Sequence, residues 1–101
     1  MTFQEKVWEL LKQIPKGRVT TYKIISHKLD TKAYRTVGNA CHNNPFAPKV
    51  PCHRVVNSSG KVGGFATGIE NKIKLLEKEG IKIKNNQIQN FEEVLFKLKP
   101  I

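Results

Sequence analysis

The sequence predicts a small, mainly α-helical single domain, winged-helix-like, with a helix-turn-helix and a short β-hairpin or extended segment that carries a candidate site. The chain has 101 residues, the usual size of one domain. Apolar residues recur at helical spacing near its start, and two further short helical patterns between residues 22 and 44 are joined by a tight polar turn. Three prolines between residues 45 and 51 then favour extended chain.

The first helix begins at a capping box. Thr2 is followed three residues later by Glu5, a spacing at which each side chain can bond the backbone N–H of the other. Pro15 and Gly17 end this helix. Its inward stripe, with Trp8 beside it, consists of Phe3, Val7, Leu10, Leu11 and Ile14.

A helix-turn-helix is predicted over about residues 22–44. The β-branched run 18–22 favours extended chain, and residues 24–29 then form a short helix. Residues 30–34 turn the chain, and residues 34–44 form a second helix. Pairs of short helices are common in small domains, so this pattern alone does not establish a nucleic-acid-binding motif. The side chains expected to face inward are Ile24, Ile25 and Leu29, and Val37 and Cys41 are expected to share one side of the second helix.

The second half of the chain contains further turn and helix patterns. Residues 55–62 are typical of a hairpin turn. Residues 68–80 favour a helix, and residues 91–98 favour a last short one. Between them, residues 81–91 alternate apolar and polar side chains about Asn85–Asn86, which predicts a small hairpin or extended segment. In the helix over 68–80, the residues that face inward are Ile69, Ile73 and Leu76.

The charge of the chain restricts its partners. The net charge is +10 and the isoelectric point is about 9.9, which predicts attraction to a polyanion such as nucleic acid or an anionic membrane surface. No apolar run of eighteen residues is present, which excludes a transmembrane helix, and the first residues do not have the pattern of a signal peptide. We therefore expect an intracellular protein whose two cysteines are free.

The helix over 34–44 is unusual because its middle residues are small, or short and polar. A glycine inside a helix, here Gly38, costs about 1 kcal/mol relative to alanine. Such a glycine lets another surface approach the helix backbone closely. That surface is either a second helix of the same domain or the narrow groove of a DNA duplex.

Cys52 has four interpretations: a buried apolar filler, a metal ligand, half of a disulfide, or a nucleophile. Cys41-His42 and Cys52-His53 are adjacent pairs, whereas zinc ligands are usually separated by two to four residues so that both can face one ion. This spacing argues against a metal site. A disulfide is disfavoured in a reducing compartment. A buried, inert cysteine stays open as an alternative.

The nucleophile interpretation draws on the neighbours of Cys52. A reactive cysteine needs a nearby base or positive charge, and His53 and Arg54 follow it directly. Histidine can take the thiol proton directly or through a water molecule, and a carboxylate can orient that histidine. The chain has eight acidic residues, and the pattern does not choose among them.

Six sequence blocks together resemble one family. PCHRVV (51–56) is followed by SSGKVGGF (58–65) and GIENKIKLLEKEG (68–80), and is preceded by GRVTTY (17–22), YRTVGNA (34–40) and NNP (43–45). In this order they resemble the O6-alkylguanine-DNA alkyltransferases, over roughly residues 3–81. The resemblance implies repair by direct damage reversal, in which an alkyl group passes once and irreversibly from O6 of a flipped-out guanine in DNA to a cysteine.

The resemblance also assigns the candidate catalytic residues. Cys52 matches the acceptor cysteine, and His53 matches the residue that relays its proton through a water molecule. Glu79 matches the carboxylate that orients this histidine. Asn44 matches the asparagine that bridges the helix-turn-helix and the active-site segment, which covers about residues 44–66. Tyr22 matches the tyrosine that helps to rotate the target nucleotide and contacts the base, and it is a plausible proton donor.

The DNA contacts implied by the resemblance lie on the second helix and in the active-site segment. The family lays this helix in the minor groove without reading sequence, which explains small residues in it. Arg35 matches the finger that fills the gap left by the flipped nucleotide. The walls of the guanine pocket match Val55 and residues 63–66, including Phe65 and Ala66. The residues of the groove-facing helix are Gly38, Asn39, Ala40 and Cys41.

The resemblance implies double-stranded DNA containing O6-alkylguanine as the partner, with no cofactor, no metal and no membrane. It favours a monomer in the cytoplasm or at the nucleoid. Two other functions stay as alternatives. Alkyltransferase-like proteins share the fold, bind alkylated guanine without transfer and flag it for excision repair, but most carry another residue at the acceptor position, where this chain has Cys52. A plain helix-turn-helix regulator would bind one DNA sequence specifically.

Overall fold

The computed structural model describes residues 1–47, 49–63 and 68–100, and it confirms the mainly α-helical class. Short helices alternate with two-residue strands, and none of the described helices is long and apolar enough to cross a membrane. The elements in chain order are α1 (Phe3–Leu11), β1 (Thr20–Thr21), α2 (Tyr22–Lys28), α3 (Tyr34–His42), a 3-10 turn (Cys52–Arg54), β2 (Val55–Val56), α4 (Ile69–Lys78), β3 (Ile83–Lys84), β4 (Gln87–Ile88) and α5 (Phe91–Val94).

Helix α1 begins at the predicted capping box. The Thr2 hydroxyl accepts a hydrogen bond from the Glu5 N–H at 3.1 Å, and the Glu5 carboxylate accepts one from the Thr2 N–H at 3.0 Å. The indole N–H of Trp8 donates to the Ala40 carbonyl at 2.9 Å, which fixes α1 against α3. The predicted stripe is confirmed, because the residues of α1 that are fully buried are Val7, Leu10 and Leu11.

The helix-turn-helix is formed by α2 and α3, with shifted ends. Helix α2 begins at Tyr22 rather than at residue 24, because the Thr21 hydroxyl caps it by accepting the Ile24 N–H at 3.1 Å. Asp30, at φ 53°, helps to turn the chain between the helices. Helix α3 ends at His42, two residues before the predicted end.

The predicted hairpin turn over residues 55–62 is confirmed, because the Asn57 N–H donates to the Lys61 carbonyl at 2.9 Å. The Gly60 N–H also donates to the Asn57 carbonyl at 2.9 Å. The first strand of the hairpin, however, pairs in parallel with β1, with Thr20 opposite Val55 and Thr21 opposite Val56. The 3-10 turn that precedes β2 packs against α1 and α4. Adjacent strand residues face opposite sides, so Val55 joins the core cluster around α1–α3 and Val56 joins the one under α4.

The C-terminal part agrees with the prediction except on one face of α4. Strands β3 and β4 form the predicted hairpin, and Asn85 and Asn86 take the left-handed conformation its tight turn requires. The predicted last helix has only four residues. In α4, Leu76 is buried as expected, but Ile69 is 36% exposed. The side chain fully buried one turn before Leu76 is Lys72, a charged residue that was not predicted to lie inside.

Candidate functional site

The centre of the site is the 3-10 turn that begins at Cys52. The Cys52 N–H donates to the Val50 carbonyl at 2.9 Å, which tightens the turn, and the cysteine is 6% exposed. The next residue, His53, is 2% exposed and points its Nε2 at Oε2 of Glu79, 3.1 Å away. Glu79 is the C-terminal cap of α4, so that helix delivers the carboxylate. The structure therefore brings Glu79 to the Cys52–His53 pair from 26 positions further along the chain.

The Glu79 carboxylate determines the state of the His53 ring. A carboxylate only accepts hydrogen bonds, so Nε2 carries the proton and Nδ1 keeps its lone pair. Nδ1 is buried and has no hydrogen-bond partner among the described residues. Burial lowers the pKa of His53, and the opposing effect of Glu79 does not cancel the shift. At neutral pH, His53 is thus a neutral base with one free acceptor atom.

Arg54 holds the carboxylate in place. Its guanidinium donates to both oxygens of Glu79, through Nε at 2.9 Å and through Nη2, and its Nη1 donates to the Ile14 carbonyl at 2.8 Å. Burial would raise the pKa of Glu79, but the hydrogen bonds from Arg54 and His53 outweigh it and lower the pKa. Glu79 is therefore ionised and rigidly positioned between Arg54 and His53.

The loop between α3 and Cys52 is closed by Asn44. Its side-chain amide donates to the Val50 carbonyl at 2.6 Å, and its amide oxygen accepts the Phe46 N–H at 2.9 Å. Asn44 thus links the end of the helix-turn-helix to the turn that carries Cys52. Burial raises the pKa of the Cys52 thiol, and the Asn44 amide acts in the opposite direction.

Lys72 is a functional candidate that the sequence analysis missed. It is completely buried, and its Nζ lies 5.8 Å from the centroid of the Tyr22 ring. Burial lowers its pKa to about 8, against the opposing effect of the Cys41 and Cys52 thiols. The ammonium in turn lowers the pKa of the Cys52 thiol. The signal was present, since Lys72 lies four residues before Leu76 on the inward stripe of α4, but the stripe was read from apolar residues alone.

A groove of about 680 Å³ opens on the outer side of α3, and we call it the α3 groove. Tyr22 lines this groove, and its ring also lies against the buried Lys72 side chain. Burial raises the pKa of Tyr22, and the Cys41 and Cys52 thiols raise it further, so the phenol stays protonated. The residues that line the α3 groove are Tyr22, Lys23, Tyr34, Arg35, Gly38, His42, Asn57 and Ser58.

The α3 groove settles why Gly38 is tolerated in the middle of a helix. A Cβ atom built at Gly38 would have no atom within 4 Å among the described residues. Among the described residues, no second helix packs against Gly38 closely enough to require a glycine. The backbone at Gly38 instead faces the open groove, where another molecule can approach it closely.

Two predicted DNA-contacting residues lie on the wrong face of α3. Ala40 is 1% exposed and Cys41 is 2% exposed, because the helical period places both with Val37 on the inward side. Arg35 and Asn39 are exposed as expected. Val55 is completely buried, in the core cluster that contains Cys52, and its predicted place in the wall of a guanine pocket stays a prediction. Phe65 and Ala66 lie outside the described residues. The groove-lining residues that the sequence analysis did not select are Lys23, Tyr34, His42, Asn57 and Ser58.

The two cysteines are both free and buried. Burial raises the pKa of Cys41 to about 12, so this thiol stays protonated in the core. In the part of the chain that the structure describes, no three His, Cys, Asp or Glu side chains lie together as metal ligands would. The titratable side chains around the 3-10 turn include Cys52, His53, Glu79, Lys72 and Tyr22.

Comparison with known proteins identifies the family of this chain. Residues 2–81 match the family described as 6-O-methylguanine DNA methyltransferase, DNA binding domain. The methylated-DNA–protein-cysteine methyltransferase of Methanosarcina acetivorans is 47% identical over 79 residues, which are 77% of this chain and 51% of that protein. The enzyme of the same name from Sulfolobus acidocaldarius is 46% identical over 81 residues, 80% of this chain and 51% of that protein. This chain thus spans about half the length of these relatives.

Two kinds of solved structure resemble this one. Mycobacterium tuberculosis OGT in complex with DNA superposes with a TM-score of 0.74 at 44% identity, covering 78% of this chain and 50% of that one. S. pombe Atl1, in complex with damaged DNA containing O6-carboxymethylguanine, superposes with a TM-score of 0.80 at 30% identity, covering 94% of both chains. This chain belongs to the family of 6-O-methylguanine DNA methyltransferase DNA-binding domains.

Proposed function

We propose that this protein repairs O6-alkylguanine in double-stranded DNA by transferring the alkyl group, once and irreversibly, to Cys52. The observation that carries the proposal is the ordered chain of Cys52, His53 and Glu79. Glu79 fixes the proton of His53 on Nε2, and Nδ1 is left as a buried atom without a partner in the described structure. A neutral histidine with a free acceptor atom, next to a cysteine, is the arrangement that thiolate chemistry requires.

The transfer follows from this arrangement. The Cys52 thiol gives its proton to Nδ1 of His53, directly or through a water molecule, and the thiolate attacks the alkyl carbon on O6 of guanine. A carbon–sulfur bond forms as the carbon–oxygen bond breaks, and the bonding electrons leave with guanine. Guanine then takes a proton, for which the still-protonated phenol of Tyr22 is the donor. The thioether is stable, so each molecule reacts once.

The buried charge of Lys72 assists the first step. Burial raises the pKa of the Cys52 thiol, so the resting protein holds little thiolate. The Lys72 ammonium opposes that effect and favours the negative sulfur. Since charges interact more strongly away from water, one buried cation compensates part of the cost of burying the thiolate.

The α3 groove is the proposed DNA contact. The net charge of +10 attracts DNA phosphates whatever the base sequence. A protein that binds DNA as a monomer also needs no pair of half-sites at a fixed spacing. We propose that α3 enters the minor groove with Gly38 and Asn39 against the base edges, and that Arg35 fills the gap left by the extruded nucleotide. Extrusion is required because O6 is hidden inside a duplex. The active site and the helix-turn-helix together form one domain over residues 1–101.

A second function has its own support. S. pombe Atl1 superposes on this chain with a TM-score of 0.80, compared with 0.74 for Mycobacterium tuberculosis OGT. A protein that binds O6-alkylguanine and marks it for excision repair, without transfer, is therefore the alternative. The presence of Cys52 with His53 and Glu79 favours the enzyme, since a binding protein has no need of an oriented base.

The deciding experiment is an intact-mass measurement. We expect the purified chain, incubated with a duplex bearing one O6-methylguanine, to gain the mass of one methyl group per molecule, on the peptide that contains Cys52. The same duplex with guanine is the control. Retained lesion-selective binding without a gain in mass would contradict the enzyme proposal and move the protein to the Atl1 type.

Substituting Gly38 should separate stability from DNA binding. We expect Gly38→Ala to raise the free energy of unfolding by about 0.5–1 kcal/mol, because alanine favours helix and the added Cβ meets no atom of the described chain. The same methyl group stands where DNA must approach, so affinity for a duplex should fall, and Gly38→Leu should weaken it further. Urea unfolding and fluorescence anisotropy measure the two effects. Unchanged affinity in both variants would remove α3 from the DNA contact.

A further inference from the structure

We propose that Tyr34 is a base-stacking wedge, which inserts beside the extruded nucleotide and covers a base face that extrusion leaves bare. This inference rests on the proposed function, and it adds a DNA-binding site next to the Arg35 finger. It assigns a role to a residue that neither the catalytic chain nor the core of the domain uses.

The exposure of Tyr34 is the first observation. Its side chain is 45% exposed at the first position of α3, directly before Arg35. Another exposed aromatic residue, Phe46, packs edge-on against Trp8 with ring centroids 5.7 Å apart. The Tyr34 ring has no aromatic or cationic partner, and its hydroxyl makes no hydrogen bond, within the described residues. The fold therefore leaves this ring free for an external contact.

The position of Tyr34 between two hollows is the second observation. On one side it lines the α3 groove, with Tyr22 and Arg35. On the other side it lines a separate hollow of about 340 Å³ at the turn between α2 and α3, with Lys32 and His27. The ring thus forms a ridge that separates two concave surfaces. Lys23 and Arg35 in the groove suit the phosphates that run along a DNA groove, and in the hollow Lys32 lies with Asp30.

The chemistry of extrusion explains what such a ridge can do. When one nucleotide leaves the stack, its two neighbouring bases lose a partner, and unstacking opposes extrusion. An aromatic ring can stack on any base because every base has a π-face, so this contact favours extrusion without reading sequence. Side chains that wedge between base steps from the minor groove act in the same way. Arg35 can then fill the vacated position while Tyr34 covers the adjoining base.

The test compares Tyr34→Ala with Tyr34→Phe, which keeps the ring and removes only the hydroxyl. We expect Tyr34→Ala to slow transfer from a duplex bearing O6-methylguanine about 5- to 50-fold. With the free base O6-benzylguanine, which needs no extrusion, its rate should stay within about twofold of the unmodified protein. Tyr34→Phe should match the unmodified protein on both substrates.

A fluorescent base gives a readout that does not require transfer. With 2-aminopurine next to the lesion, the unmodified protein should keep the fluorescence quenched by stacking, whereas Tyr34→Ala should leave the probe bright. Any of three results would overturn the wedge proposal. Tyr34→Ala could react with the duplex as fast as the unmodified protein, it could be slowed equally on the duplex and on the free base, or Tyr34→Phe could be as slow as Tyr34→Ala. If the unmodified protein transferred no methyl group, the proposed function would be contradicted instead. The 2-aminopurine fluorescence would still test the role of Tyr34.

Discussion

Replacing Cys52 with alanine should abolish alkyl transfer completely while leaving the affinity for a lesion-bearing duplex within about threefold of the unmodified protein. Sγ of Cys52 is the atom that forms the new bond, and no other group in the proposed mechanism can replace it. DNA binding rests instead on the α3 groove and on the net charge of the chain. Intact mass after incubation with an O6-methylguanine duplex measures the transfer, and fluorescence anisotropy measures the affinity.

Cys41 offers a matched control. Both cysteines are buried and belong to the same core cluster, so each alanine variant should lose about 1 kcal/mol of the free energy of unfolding. Cys41→Ala should keep full transfer, because burial holds the Cys41 thiol protonated in the core, with its pKa at about 12. Loss of transfer in Cys41→Ala would contradict the assignment of Cys52 as the sole acceptor. Loss of lesion binding together with transfer in Cys52→Ala would indicate that Cys52 has a folding role.

The local features of this fold follow from the sequence because they depend on residues close together in the chain. The capping box of Thr2 and Glu5 and the Asn85–Asn86 turn were both predicted and are both present. Each is decided by hydrogen bonds or backbone conformations within four residues. The start of α2 was misplaced by two residues, since Thr21 was counted as extended chain and not as a helix cap.

Contacts between residues that are distant in the sequence could not be predicted from local sequence patterns. The parallel pairing of Val55 and Val56 with β1 joins residues 35 positions apart, and nothing in either run specifies its partner. Ala40 and Cys41 were wrong as predicted DNA contacts for another reason, although Cys41 had been placed on the same side of the helix as Val37. Small size suggested a DNA contact, whereas the helical period, which was available, places both with Val37 in the core.

The candidate site was predictable only through family resemblance. The sequence pattern alone offered eight acids for His53 and did not single out Glu79, which reaches it from the end of α4. Lys72 shows the opposite case, because a charged residue on an apolar stripe was visible in the sequence. Lysine is rarely buried without a purpose, so such a residue is itself a signal of function.

Changing Glu79 to glutamine should lower the rate of transfer by about 10²-fold or more. Oε2 of Glu79 accepts from both Arg54 and His53, and Oε1 accepts from Arg54, so the single amide oxygen of glutamine cannot replace both. When that oxygen accepts from Arg54 Nε, the amide N–H₂ faces Nε2 of His53. An amide donor at Nε2 favours the tautomer with its proton on Nδ1, and that tautomer cannot accept the proton of Cys52. Because Arg54 is only 15% exposed and loses its ion-pair partner, the free energy of unfolding should also fall by about 1–3 kcal/mol.

The pH dependence of the rate separates this role of Glu79 from a merely structural one. Transfer fails in acid once His53 is protonated, so the acid limb of the rate profile follows the pKa of His53. Glu79 raises that pKa and Arg54 lowers it. The acid limb should therefore move to lower pH in Glu79→Gln and to higher pH in the control Arg54→Met, which loses the same ion pair and also the bond to the Ile14 carbonyl. Since Arg54→Met keeps Glu79 beside His53, its maximal rate should fall less than about tenfold. Equal losses of rate in the two variants, with both acid limbs unmoved, would show that Glu79 supports the fold and takes no part in orienting the base.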